Sequence, residues 1–215
     1  MQFFTKCAVL FLTTFAAIFS INAQTQDQIN AIKSMAEQGD SKAQYALGFC
    51  YYSGTGVAKD DAEAVKWYRK AAEQGNTDAQ FDLGVVTKDD VEAVKWYRKA
   101  AEQGNAKAQF NLGFCYEKGT GVAKDDVEAV KWYRKAAEQG QTNAQFCLAS
   151  CLVEGKGVAQ DLIEAYALLN LAGIENEDAR EARAMLDKTL TASQQAQGQQ
   201  RTKELQAQIE KSKSE

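Results

Sequence analysis

The thirteen-residue phrase EAVKWYRKAAEQG occurs three times without a change, at Glu63–Gly75, Glu92–Gly104 and Glu128–Gly140. A strict internal repeat decides the architecture before any single residue does, because each copy adopts the same local structure and packs mainly on its neighbours. The dipeptide Ala-Gln recurs ahead of this phrase and again after its last copy, beginning at Ala43, Ala79, Ala108 and Ala144. Its spacings of 36, 29 and 36 residues predict a stack of similar modules, one of them seven residues shorter.

Each module is predicted to contain two helices. The segment that holds Ala-Gln, typified by Lys42 to Tyr52, is helix A, and its apolar stripe falls at helical spacing on Ala43, Leu47, Cys50 and Tyr51. The repeated phrase is helix B, with acidic residues in its first turn and a glycine after its end. Its predicted packed face consists of Ala64, Trp67, Tyr68, Ala71 and Ala72.

The second module departs from this pattern. Between Leu83 and Asp89 it has only five residues, where the other modules have a longer stretch ending in a Gly-rich loop. Helix A is therefore either shorter here or followed by almost no loop, and either change is expected to bend the stack at this point.

The ends of the chain differ from the modules. Lys6 precedes an apolar run from Cys7 to Phe19, and Ile21-Asn22-Ala23 offers a cleavage site, so residues 1–23 are predicted to be a secretory signal rather than a membrane anchor. Residues 24–38 are assigned to an N-terminal helix that resembles half a module, residues 39–176 to about four repeats, and residues 177–215 to capping helices. The predicted location is the periplasm or the medium.

Charge and composition narrow the function classes. The net charge is −4, which indicates neither a nucleic-acid partner nor an anionic membrane. Histidine is absent, which removes the commonest general base and the commonest metal ligand. We therefore expect no catalytic residues, no cofactor and no metal.

The sequence closely resembles the Sel1-like repeats, relatives of the tetratricopeptide repeat. AQxxLGxxYxxGxGV in helix A and EAVKWYRKAAEQG in helix B carry the resemblance, over roughly Ile29 to Ala172. It implies an all-α, right-handed superhelical solenoid that acts as a monomeric, non-catalytic scaffold or adaptor for a protein or peptide. The alternative is a β-lactam-binding or hydrolysing enzyme like the cysteine-rich Sel1-like proteins, although SxxK, KTG and the regular cysteine pairs are missing.

The resemblance also implies a partner-binding groove on helix A, opposite its core stripe. Carried over by position, the candidate partner-binding residues are Tyr45, Phe49, Tyr52, Phe81, Phe110, Phe114, Glu117 and Phe146, with Ser150 and Val153 at the same positions of the fourth module. Tyr45, Phe81, Phe110 and Phe146 occupy one position, and their rings either line the groove or are buried between successive helices. Phe49 and Phe114 point farther from the stripe and are expected to be exposed.

Four cysteines follow the predicted signal, at Cys50, Cys115, Cys147 and Cys151. Cys50 and Cys115 are separated by a whole module and are not expected to bond to each other. Three arrangements remain open, namely free buried thiols, a bridge from Cys115 to the fourth module, and a Cys147–Cys151 bridge.

The first prediction concerns export. If residues 1–23 are a secretory signal, the exported protein begins at Gln24, because Ala23 is the best small residue after the apolar run. Intact-mass measurement of the exported fraction checks this. A chain that retains Met1, or that is found only in the cytosol, would contradict it.

Overall fold

The computed structural model describes residues 26–214, and their regular secondary structure is entirely helical. Helix α1 covers residues 26–37. The others are α2 Ser41–Ser53, α3 Asp61–Glu73, α4 Thr77–Val86, α5 Asp90–Glu102, α6 Ala106–Lys118, α7 Asp126–Glu138, α8 Thr142–Glu154, α9 Leu162–Ala172, α10 Glu177–Asp187 and α11 Ala192–Ser212. The predicted signal at residues 1–23 lies outside the described residues. Within the described part, no helix is long and apolar enough to span a membrane.

The helices form two compact units, one ending at Leu83 and the other beginning at Gly84. The first contains α1 to α3 and most of α4, and the second contains the end of α4 and all helices from α5 onward. Both repeat the same pair: α2, α4, α6 and α8 are helices A, and α3, α5, α7 and α9 are helices B. The packed face predicted for the first helix B is buried as expected.

Short polar side chains define where the helices begin. Asp40 accepts a hydrogen bond from the backbone N–H of Ala43 at the start of α2, and Asp125 accepts two at the start of α7. These caps satisfy amide groups that have no partner inside the helix. The chain then turns through glycines, and a Cβ on Gly121, which has a φ of 66°, would overlap the Asp90 carbonyl. The loop after α6 therefore packs on the first turn of α5 through bare backbone.

A buried glutamine joins each helix A to the helix before it. Gln109 is 5% exposed, and its Nε2 donates a 3.1 Å hydrogen bond to the carbonyl of Ala101 in the last turn of α5. Its Oε1 accepts a hydrogen bond from Gln139 beyond α7. The same bond to a carbonyl eight residues earlier is made by the other glutamines of the Ala-Gln pairs, Gln44, Gln80 and Gln145. The amide thus gives a second hydrogen bond to a helix-end carbonyl that already accepts one from the glycine after the helix.

A tyrosine of helix B packs directly beneath a glycine of helix A. A Cβ added to Gly113 would lie 2.8 Å from the ring of Tyr133, and Gly48 and Gly84 have the same relation to Tyr68 and Tyr97. A side chain at these glycines would therefore displace the ring. In the fourth module both residues of this pair differ: Ala149 stands in place of the glycine and Leu169 in place of the tyrosine.

In the shortened module, helix A is shorter and the loop after it is also nearly absent. Helix α4 has 10 residues where α2 has 13, and residues 87–89 connect it to α5, whereas residues 54–60 connect α2 to α3. The Tyr97 ring of this module is only half-buried, while Tyr68 and Tyr133 are fully buried.

Helices α10 and α11 end the second unit, close to the spans that the sequence predicts. Helix α11 packs on α9, where Gly198 lies against the ring of Tyr166 and Arg201 donates two hydrogen bonds to Glu164. The rest of α11 is largely exposed and polar, which suits a helix that closes a stack of repeats.

The second prediction tests the glycine and tyrosine contact. Gly113→Ala should lower the free energy of unfolding by about 1–3 kcal/mol, because the new methyl group overpacks the Tyr133 ring. In a Tyr133→Leu background the same change should instead stabilise the helix by up to about 1 kcal/mol, as alanine is the better helix former. Urea melts of the four proteins in this cycle measure the reversal. The same sign in both backgrounds would show that the ring does not set the requirement for glycine.

Candidate functional site

In the first unit, two candidate residues are exposed and two are partly buried. Phe49 is 51% and Tyr52 is 42% exposed on α2, and the Lys59 ammonium lies 5.5 Å from the Tyr52 ring. Tyr45 is half-buried, and its hydroxyl donates a 3.0 Å hydrogen bond to Asp82. Phe81 is also half-buried. Tyr45 thus helps to join α2 to α4, while Phe49 and Tyr52 offer free aromatic surface.

The second unit repeats this division. Phe114 is 44% exposed, with the Lys118 ammonium 5.5 Å from its ring. Phe110 is half-buried, and its ring centroid lies 5.9 Å from that of Tyr133. Phe146, at the same position of α8, is half-buried as well. The expected exposure of Phe49 and Phe114 is confirmed. The aromatic residue at the position of Tyr45 is partly buried in all four modules.

Two cavities of the second unit meet along α8. One of about 190 Å³ lies between α6 and α8 and is lined by Phe114, Glu117, Phe146 and Ser150, among others. The other, of about 490 Å³, lies among α8, α9 and α10 and includes Phe146, Ser150 and Val153 in its lining. Because Phe146 and Ser150 line both, we describe them together as the A-helix groove. The structure therefore brings five predicted positions of the third and fourth modules to one surface.

Glu117 is the most strongly perturbed charge in this groove. Burial would raise its pKa, but hydrogen bonds from Tyr133, Lys118 and Lys156 outweigh burial and lower the pKa to about 2. The Lys156 ammonium also lies 3.6 Å from Asp126 on α7. Glu117 thus joins α6 to the loop after α8, and its charge is neutralised by its own neighbours.

All four cysteines in the described residues are free thiols, so neither bridge considered above is formed. Cys147 and Cys151 lie side by side in the groove wall. Burial, reinforced by the charge of Glu117, raises the pKa of each thiol to about 11. Both are therefore protonated at neutral pH and are weak nucleophiles.

The residues that α9 and α10 contribute to the groove were not among those predicted from the sequence. Leu162 and Leu169 form part of the floor, and Met185 and Leu186 form part of the far wall. Leu162 stands where the third module has Asp126, and Leu169 where it has Tyr133. These changes from polar to apolar residues in a repeat alignment were the available signal.

No group of three or more His, Cys, Asp or Glu side chains in residues 26–214 is arranged to hold a metal ion. Glu117, Lys118 and Lys156 are hydrogen-bonded to one another, and Gln160 and Thr189 donate to helix carbonyls. The arrangement presents aromatic and apolar surface with a rim of paired charges, which is suited to contact with another molecule's side chains.

Comparison with known proteins identifies the repeat. The family model described as Sel1 repeat matches residues 41–76, 77–105, 106–141 and 142–176. A protective antigen with an SLR fold from uropathogenic Escherichia coli has a similar structure, with a TM-score of 0.79 and 38% identity over 84% of this chain and 41% of its own. A Sel1 repeat protein from Oxalobacter formigenes gives a TM-score of 0.67 and 37% identity over 74% of this chain and 66% of its own.

A curated relative carries a more specific name. The secretory immunoglobulin A-binding protein EsiB of Escherichia coli is 41% identical over 60 residues, which is 28% of this chain and 12% of that protein. The chain thus matches only a small part of this relative and less than two thirds of either structure. The all-α solenoid of Sel1-like repeats predicted from the sequence is confirmed.

The third prediction concerns Glu117. Because its pKa is lower in the folded than in the unfolded protein, its charge stabilises the fold at pH values above about 4.5, and this stabilisation is lost as the pH falls towards 2. Glu117→Gln should remove a pH-dependent contribution of about 3 kcal/mol to the free energy of unfolding over that range. Urea melts at pH 7, 4 and 2.5 measure it, with exposed Glu138→Gln as the control. Parallel pH curves for wild type and Glu117→Gln would contradict the assignment.

Proposed function

The chain belongs to the Sel1 repeat family, and from this premise we propose that it is a non-catalytic scaffold that holds a protein or peptide in the A-helix groove, in the cell envelope or outside the cell. The observation that carries the proposal is Phe114, an exposed ring held on a helix at the edge of a groove whose lining combines aromatic and charged side chains. Aromatic side chains in such surroundings supply much of the binding energy of protein interfaces.

The form of the groove supports a polypeptide ligand. Its two cavities lie along α8 rather than in one closed pocket, so an extended chain could place successive side chains in them. Its walls come from four helices, which fixes their positions before binding and lowers the entropy cost. The net charge of −4 favours a protein over a nucleic acid as the partner. We propose that the scaffold acts as a monomer.

Two further points support the proposal. EsiB is by its name a binding protein, and its similarity to this chain favours a binding role outside the cytoplasm. The apolar run near the N-terminus favours export in the same way.

The chemistry of the groove favours a non-catalytic role. Glu117 is held ionised by its partners, and Cys147 and Cys151 are held protonated, so these groups are poorly suited to act as base or nucleophile near neutral pH. A nitrocefin assay on the purified protein addresses the β-lactamase alternative. Turnover that one substitution abolishes would overturn the scaffold assignment.

The fourth prediction identifies and then measures the partner. A photo-crosslinking amino acid at position 114 should capture a polypeptide in the native host, whereas the same group at exposed Val127 on α7 should not. With the captured partner purified, Phe114→Ala should weaken binding by about 2 kcal/mol. Its unfolding midpoint should hardly change, because the ring is about half exposed in the free protein.

Val127→Ala is the matched control, since Val127 is equally exposed but lies outside the groove. Binding and melting are measured on the same preparations. A large loss of stability with unchanged affinity per folded molecule would show that the Phe114 ring serves the fold, and the groove would then lose its assigned role at this position.

A further inference from the structure

The 490 Å³ cavity among α8, α9 and α10 has a smaller counterpart of about 190 Å³ in the module before it, where a tyrosine takes up part of the space. There, Tyr133 of α7 extends from beneath Gly113 towards the next helix A. Its hydroxyl donates a 2.7 Å hydrogen bond to Glu117 and lies beside Cys147. The Tyr133 ring is thus enclosed by two successive helices A, and the protein itself shows what side chain this kind of site accepts.

Each group around the Tyr133 ring has a counterpart in the wall of the cavity. The spacing of 36 residues carries Phe110, Gly113, Glu117 and Tyr133 onto Phe146, Ala149, Val153 and Leu169. A spacing of 35 residues, set by the helix caps Gln141 and Asn176, carries Cys147 and Cys151 onto Ala182 and Leu186. All six counterparts line the cavity, which we call the Leu169 pocket.

One reason why the pocket is larger than its counterpart is that a smaller residue stands where the tyrosine would be. Leu169 lacks the outer part of the ring, and Val153 and Ala182 are shorter than Glu117 and Cys147. At the end of the pocket nearest α8, the methyl group of Ala149 takes up part of the space that is empty at Gly113 of the third module. The space that remains lies at the outer end, next to Met185, which is 66% exposed.

Charge and polarity then select the occupant. Glu117, which accepts the Tyr133 hydroxyl, is replaced by Val153, and no charged residue lines the pocket. Of its polar side chains, Gln160 and Thr189 already donate to helix carbonyls and Ser150 is exposed to solvent. A phenol inserted here would lose hydrogen bonds to water without gaining the carboxylate partner, whereas a phenyl ring would lose none. We infer that the Leu169 pocket binds a phenylalanine side chain of the partner polypeptide.

This inference rests on the proposed function, because it names the side chain that the A-helix groove selects. It also makes a claim of its own, since a small phenyl probe should bind whether or not a polypeptide fills the rest of the groove. Met185 supplies the reporter, because methionine occurs only at positions 1, 35 and 185.

The experiment uses the full chain labelled with ¹³C at the methionine methyl groups. Titration with N-acetylphenylalanine amide should shift the Met185 signal saturably and leave Met35, on α1, unchanged. N-acetyltyrosine amide should bind about tenfold more weakly, which corresponds to one unpaired hydroxyl. Equal affinities for the two amides, or no saturable shift with either, would overturn the inference.

Two variants test the comparison with Tyr133. The double change Ala149→Gly and Leu169→Tyr rebuilds the pair that the other modules tolerate, so it should fold and fill the pocket, and binding of the phenylalanine amide should be lost. Val153→Glu restores the missing acceptor and should make the tyrosine amide the tighter ligand. Val127→Glu adds the same charge on the exposed face of α7 and should change neither affinity.

The outcomes separate the two proposals. If Val153→Glu leaves the preference for phenylalanine unchanged, the pocket does not follow the Tyr133 template and the inference fails. If the amide binds as expected but crosslinking at position 114 captures no polypeptide, the pocket stands and the scaffold proposal fails. If a partner is captured but the amide does not bind, the scaffold proposal stands and the inference about the Leu169 pocket fails.

Discussion

The insertion of a tyrosine ring beneath a glycine is the contact on which the rest of each of the first three modules depends. It brings helix B so close to helix A that no side chain fits between them at Gly113, and it extends the ring towards the next helix A. Because a repeat protein packs each module only on its neighbours, such a contact must supply both closure within a module and adhesion to the next one. In the fourth module the pair is Ala149 and Leu169, both of which are buried. Helices A and B of this module therefore still pack on each other, but no tyrosine ring extends towards the next helix.

The helices themselves could be predicted because their signals are local. The repeated phrase, its capping aspartates and its terminal glycines gave the limits and the packed face of helix B to within a few residues. The bond between Gln109 and Ala101 could not be predicted in this way. Glutamine is usually exposed, so the recurring Ala-Gln pair indicates the period of the repeat without revealing that its amide is buried against the end of another helix.

The candidate site was predictable only in part, for a related reason. Helical periodicity placed Phe114 on an open face, because that depends on a single helix. It also assigned Tyr51 to the core stripe, where the ring proves to be half-buried. The Leu169 pocket depends on three helices and on the small size of the residues that line it, and no pattern along one helix reports a space between several of them.

The distribution of identical and altered residues now has a physical account. Several residues that the modules share meet a neighbour's backbone or ring, as Gly113 and Gln109 do, so a change at them would cost stability. The fourth module is followed by α10 and α11 rather than directly by another module, and there the tyrosine position has changed. Divergence at Val153, Leu169 and Ala182 therefore removes packing where the stack needs it least, and the space it opens becomes available for another molecule's side chain.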